Sequence, residues 1–238
     1  MNISMAQGNR CRQTGSTMGK FFAGFLLLLL AAGLARGDEL GRADIDGLIA
    51  RLQALKRDHP GVVARFHEER FLKIRTQPLV LEGEIKLMAP DKFRREIFGK
   101  NPSVTASDGR TLWILYPAFN EAEQYSLDRS HEVSVLFGAL NSGLNFQGLR
   151  EFYHIRGSLT DNGGYALTLE PLQPDVGHIL VRLSVWLDAG LHVIRTEYET
   201  PQGDRTVTTY TEVRLDPVPA EVFQFNPPAG TKISRPLG

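Results

Sequence analysis

Six histidines, His59, His67, His131, His154, His178 and His192, are the residues of this chain best suited to move protons or hold a metal, and their spacing serves neither purpose. They are scattered, and the one cysteine, Cys11, lies close to the N-terminus. An imidazole or thiolate metal site needs clustered ligands, so no metal site is expected. His67 with Glu68 and Glu69 is the nearest approach to a general acid–base group. Neighbours on a strand point to opposite faces, which leaves them poorly placed to act as a pair. Neither a Gly-x-Ser-x-Gly elbow nor a phosphate-cradling glycine loop is present. The residues therefore predict a protein that is not an enzyme and uses no cofactor.

What remains is the chemistry of apolar surface. Phe66, Leu81, Ile85, Leu87, Phe93 and Ile97 share the apolar parity of three successive strand-like segments. They are the candidate wall of a lipid-binding cavity, with plain core packing as the other reading. Arg95 sits between Phe93 and Ile97 on that same parity. A charge on an apolar face is costly unless paired, so Arg95 meets either a carboxylate, the favoured reading, or a ligand headgroup. Val133, Leu136, Phe137 and Leu140 recur at helical spacing and form either a lid or a helix packed on the sheet. Trp113 lies in a segment apolar on both faces, which leaves its direction open.

The elements that must position these residues are legible from periodicity. Ile45, Leu48, Ile49, Leu52 and Leu55 mark an amphipathic helix that Asp58-His59-Pro60-Gly61 ends. The period then becomes two. In residues 79–87, Glu82, Glu84 and Lys86 alternate with apolar residues or glycine, as in a strand with one wet face. Asp108-Gly109, flanked by apolar runs, is the strongest hairpin signal. Asp161-Asn162-Gly163-Gly164 and Asp188-Ala189-Gly190 mark further turns, among strands expected at 152–159, 165–170, 179–187, 191–199 and 205–215. About ten alternating strands with two helices make a large meandering sheet with one apolar side. Each large aliphatic side chain withdrawn from water is worth about 1.5–3 kcal/mol, so the sheet must curl and be covered. Its interior is either packed or hollow, as in barrels that hold one small ligand.

Lys20 precedes an apolar run over residues 21–35, and Ala35-Arg36-Gly37 supplies small residues for cleavage before Asp38. The run is shorter than the roughly 20 residues that span a bilayer. Residues 1–37 are expected to be a signal peptide, with translation starting at Met1 or Met18, and residues 38–238 a single mature domain. That domain has no cysteine, hence no disulfide and no lipidated N-terminal cysteine. The chain has 27 basic and 27 acidic residues; removing Arg10, Arg12, Lys20 and Arg36 leaves 23 against 27. An acidic balance gives no electrostatic reason to bind nucleic acid.

Two segments go beyond pattern. Residues 104–117, with Asp108-Gly109-Arg110-Thr111-Leu112-Trp113 and closing on Tyr116-Pro117, resemble the Asp-Gly-x-x-Leu-Trp segment of LolA-type lipoprotein carriers. Phe223-Gln224-Phe225-Asn226-Pro227-Pro228-Ala229-Gly230-Thr231 resembles that family's closing stretch, and residues 83–94 its strand ending in Pro and Phe. The resemblance implies an open, strongly curved antiparallel sheet, an incomplete β-barrel, with an N-terminal helix and a mid-chain lid helix over its mouth. It further implies a monomeric periplasmic carrier of a Gram-negative cell that holds lipoprotein acyl chains in an apolar cavity. Cargo would come from an inner-membrane ABC transporter of the Lol type and pass to an outer-membrane acceptor. One position departs from the pattern. Ala89 stands where the family commonly has an arginine that helps control the lid. Carriage of another lipid, or an envelope sensor or scaffold of the same fold, is therefore the alternative.

Overall fold

The computed structural model describes residues 38–127 and 149–236. The expected signal peptide (1–37) and the candidate lid residues Val133, Leu136, Phe137 and Leu140 lie outside the described residues. Residues Arg36–Gly238 form one compact unit, whose described part is treated below.

Helix α1 (Arg42–Asp58) is the helix that the 45–55 periodicity predicts, extended at both ends. It buries Ile45, Leu48 and Leu52, which lie on one helical face. The Asp44 carboxylate accepts the Gly41 N–H at 3.0 Å, satisfying one donor of the first turn. Lys56 and Arg57 stand in the last turn, where cations oppose the helix dipole. Pro60 then prevents continuation.

Twelve strands follow: β1 (Gly61–Phe71), β2 (Leu79–Met88), β3 (Lys92–Ile97), β4 (Ser103–Ser107), β5 (Thr111–Tyr116), β6 (Glu121–Ser126), β7 (Tyr153–Leu159), β8 (Tyr165–Pro171), β9 (Arg182–Leu187), β10 (Val193–Glu199), β11 (Arg205–Arg214) and β12 (Lys232–Ser234). They form one open sheet in the order β12-β6-β5-β4-β3-β2-β1-β11-β10-β9-β8-β7. All described pairings are antiparallel except that of β12 with β6. This is the open curved sheet with an N-terminal helix that the LolA-like segments implied. Two strands start later than their apolar runs. Residues 179–181 precede β9, because Pro174–Gly177 forms a helical turn and Leu180 is buried in the core. Leu191 precedes β10 at φ 67°, in the turn where the Leu191 N–H donates to the Asp188 carbonyl.

Register assigns the faces. Phe66 stands opposite Tyr210 and Gly83, Ile85 opposite Arg95, and Leu87 opposite Phe93, so these side chains share an inner face. Along β8 and β9, Leu167, Leu169, Leu183 and Val185 continue that face and pack against Ile45, Leu48 and Leu52 of α1. Two bulges adjust it. An extra residue in β11 near Glu212, at φ 52°, lets Val213 follow Tyr210 on the inner side, and another lies in β10 after Val193. The outer face of β1 is covered by the C-terminal segment, where Val218 and Phe223 bury Val63.

Gly83 is required by packing. A Cβ there would lie 1.9 Å from the Glu96 carbonyl oxygen and 2.6 Å from Cζ of Phe66. The Phe66 ring thus occupies the space a side chain would need. A Gly83→Val substitution is expected to cost at least about 1–3 kcal/mol by overpacking, read as a lowered urea midpoint with an unchanged slope.

Candidate functional site

An apolar cavity, open to solvent on one side, lies between the C-terminal half of α1 and the inner face of the sheet; the space it marks out, open solvent included, is about 1000 Å³. Leu52 and Leu55 form its roof, Val62, Ala64, Ile85 and Leu87 its floor, and Tyr210 and Val213 one wall. Most of the lining is aliphatic or aromatic. The charged and imidazole groups of the lining, Lys56, His59, Asp91, Lys92 and His192, stand at the rim, and Thr196 and the Tyr210 hydroxyl lie inside. An apolar chamber with a polar rim at one end suits an amphiphile with its tail inside and its head in water. Among the described residues, no group of acidic, histidine or cysteine side chains could hold a metal ion.

Lys56 is the charged group most affected by this setting. Burial beside the apolar roof is the main cause that lowers its pKa from 10.5 to about 8, with attraction to Asp91 partly offsetting it. The sign for stability follows directly. Below pH about 8 the folded protein carries a partly desolvated ammonium that the unfolded chain hydrates freely, so the cost is full there. As pH rises from about 8 towards 10.5, only the unfolded chain still gains from the proton, and the cost disappears. The wild type is therefore expected to gain stability relative to a Lys56→Met variant across that window, as paired urea titrations would record. A constant difference across the window would contradict this.

Next to the apolar floor lies a buried ionic knot. Glu68 is only 6% exposed, and its carboxylate accepts three hydrogen bonds. These come from Arg70 Nε at 2.8 Å, Arg95 at 2.8 Å and Thr208 Oγ1 at 3.0 Å. The Arg95 guanidinium also stacks over the Phe66 ring, 4.2 Å from its centroid. Of the two readings of Arg95, the carboxylate partner is the one realised. Burial pushes the Tyr210 phenol upward, so it stays a neutral hydroxyl, 3.3 Å from Thr196 Oγ1. The knot is satisfied internally, which fixes the relation of β1, β3 and β11.

The six candidate wall residues fall into three groups. Ile85 and Leu87 line the cavity. Phe66 and Phe93 are buried in the same apolar cluster, and Ile97 packs against it, without bordering the open space. Leu81 stands opposite Glu68, beside the ionic knot, and belongs to neither the cluster nor the lining. Sequence reasoning missed Leu52, Leu55, Val62, Ala64, Tyr210 and Val213. The first four were accessible, since Leu52 and Leu55 lie on the apolar helix stripe and Val62 and Ala64 share the parity of Phe66. Tyr210 and Val213 were not, because the bulge at Glu212 breaks the alternation. Ala89, the position of departure, sits on the rim and donates its N–H to the Pro60 carbonyl at 2.9 Å. His67 is exposed 3.5 Å from Glu82, on the face away from Glu68, so no acid–base pair forms with Glu68.

Trp113 pairs with Ala106, which pairs with Arg94, placing it on the outer face. Its ring meets that of Phe225 at 5.7 Å. The two segments that resemble LolA-type carriers are thus in contact with each other. No family model matches the chain, and no curated protein matches it. Among solved structures the chain is similar to a LolA superfamily protein from Nitrosomonas europaea, at 11% identity over 76% of this chain and 97% of that one, with a TM-score of 0.40. It is also similar to the lipoprotein LppX of Mycobacterium tuberculosis, at 12% identity over 74% and 98%, with a TM-score of 0.41. A third is a DUF1329 family protein from Desulfovibrio piger, at 12% identity over 75% and 95%, with a TM-score of 0.40.

Proposed function

We propose that the protein is a periplasmic carrier of acylated cargo. In this reading residues 1–37 are removed on export, and the domain 38–238 holds lipid tails in the chamber beneath α1. The observation that carries the reading is the cavity itself. Its roof and floor are apolar, its charged groups stand at the rim, and the hydroxyls of Thr196 and Tyr210 inside are paired with each other at 3.3 Å. Burial of an acyl chain is worth about 0.8 kcal/mol per methylene, so an apolar chamber open at one side gains by taking one up. Among the described residues no helix is long and apolar enough to cross a membrane.

The favoured cargo is the acyl moiety of lipoproteins, received from a Lol-type inner-membrane transporter and passed to an outer-membrane acceptor. Ala89 on the rim supports a second reading, carriage of another lipid, because no guanidinium stands there to govern cargo transfer. The test is release of newly made lipoproteins from spheroplasts. Added protein should bring them into the soluble fraction. Release of phospholipid or fatty acid without lipoprotein would select the second reading. If nothing acylated is released, the carrier function fails; an envelope sensor or scaffold of the same fold would instead bring down a stable protein partner.

A further inference from the structure

The two ends of the strands differ in chemistry. Antiparallel pairing puts the loops 72–78, 98–102, 117–120 and 200–204 at one end and the loops 89–91, 108–110, 160–164 and 188–192 at the other. The second end reads as ordinary turn sequence, with Asp91, Asp108, Asp161 and Asp188 set among small residues. At the first end, three successive hairpins each hold a large apolar side chain out into water. Ile74 is 92% exposed, Phe98 52% and Phe119 68%. Turn tips favour small polar residues, and nothing in the turns themselves requires these three. The first two tips also carry the exposed cations Lys73, Arg75 and Lys100. No acid interrupts residues 71–78 or 98–102, and none of the ion pairs among the described residues includes these three cations. Asp204 in the adjoining turn accepts the Lys73 backbone N–H at 2.9 Å, and the Lys73 side chain lies along Gly203 of that turn.

We propose that these three hairpin tips dock the protein on an anionic lipid bilayer. The tips of β1–β2 and β3–β4 are two strand spacings apart, about 10 Å. Separate protruding points, each with one apolar side chain and the first two with exposed cations, match a surface that yields around each of them; the third tip, residues 117–120, carries no cation and adjoins Glu121. Apolar groups enter the acyl boundary while lysine and arginine reach the phosphates, and each cation near an anionic leaflet adds to the attraction. The rim residues Pro60 and Asp91 lie at the opposite end of the strands. Docking by the tips therefore points the cavity mouth away from the bilayer and does not depend on what the cavity holds.

The experiment is cosedimentation with protein-free vesicles, using protein purified from the periplasm of expressing cells. Binding is expected to vesicles of phosphatidylglycerol with phosphatidylethanolamine, to fall as salt is raised, and to be weak on phosphatidylcholine alone. A Lys73→Glu/Arg75→Glu/Lys100→Glu variant should abolish it. An Ile74→Ser/Phe98→Ser/Phe119→Ser variant should weaken it by at least about tenfold. All six positions are exposed, so circular dichroism should be unchanged. Val213→Glu, at a half-buried cavity position, should stay folded by circular dichroism and bind vesicles as the wild type does, which separates docking from carriage. Absence of binding to anionic vesicles would overturn the proposal, as would binding that survives the charge reversal or capture only of a protein partner.

Discussion

Replacing Glu68 by alanine is expected to cost the fold about 3–5 kcal/mol, enough to unfold a domain of ordinary stability near ambient temperature. The carboxylate is buried and accepts from Arg95, Arg70 and Thr208 at once. Without it, the Arg95 guanidinium keeps its cation–π contact with Phe66 and loses its counter-charge in a site that water hardly reaches. Arg70 is the more exposed of the two cations and can turn to solvent, so Arg95 dominates the loss. Removing both charges should be milder than removing one. A Glu68→Leu/Arg95→Met double variant is expected to recover more than half of the lost stability, because the desolvation cost vanishes with the pair. Urea denaturation of the two variants and the wild type would measure this. If Glu68→Ala lowered stability by under about 1 kcal/mol, the range of exposed pairs, the knot would not be the clasp described above.

Leu87→Glu is expected to remove acyl-chain binding, by at least about a hundredfold, because it sets an unpaired carboxylate against the buried tail. Leu87 forms the cavity floor opposite Val62 and next to Phe93. It is also buried in the apolar cluster, so the variant carries a stability cost of its own. Val213→Glu, at a half-buried cavity position, serves as the companion. Displacement of a fluorescent fatty acid would read both variants. Equal affinity in the wild type and in a folded Val213→Glu variant would place the lipid elsewhere.

Much of this was legible in the sequence because two periods dominate it. The 45–55 stripe gave α1, and the alternation of 79–87 and 93–97 gave β2, β3 and the face that carries Ile85 and Leu87. Asp108-Gly109 marked its hairpin, and the structure supplies the reason. Asp108 accepts the N–H groups of Arg110 and Thr111, while Gly109 takes φ 95°. Arg95 was legible as a charge that needed a partner, but nothing in the sequence singled out Glu68, which stood out only as a neighbour of His67 poorly placed to act with it. Only the register across three strands brings Glu68 to Arg95. Faces were hidden where a bulge shifts parity, as at Glu212, and where both sides of the sheet are covered, as at Trp113. Leu81 has the parity of the cavity wall but lies too far along β2, beside the ionic knot. β12 has three residues and no pattern of its own, and exists through its pairing with β6.

The carrier reading is tested most directly by native mass spectrometry of protein purified gently from the periplasm. The wild type is expected to carry an acylated adduct that collision releases, and the Leu87→Glu and Val213→Glu variants to be recovered without it. Recovery of the wild type only at its bare chain mass, or an adduct that both cavity variants retain, would contradict a lipid-filled chamber beneath α1.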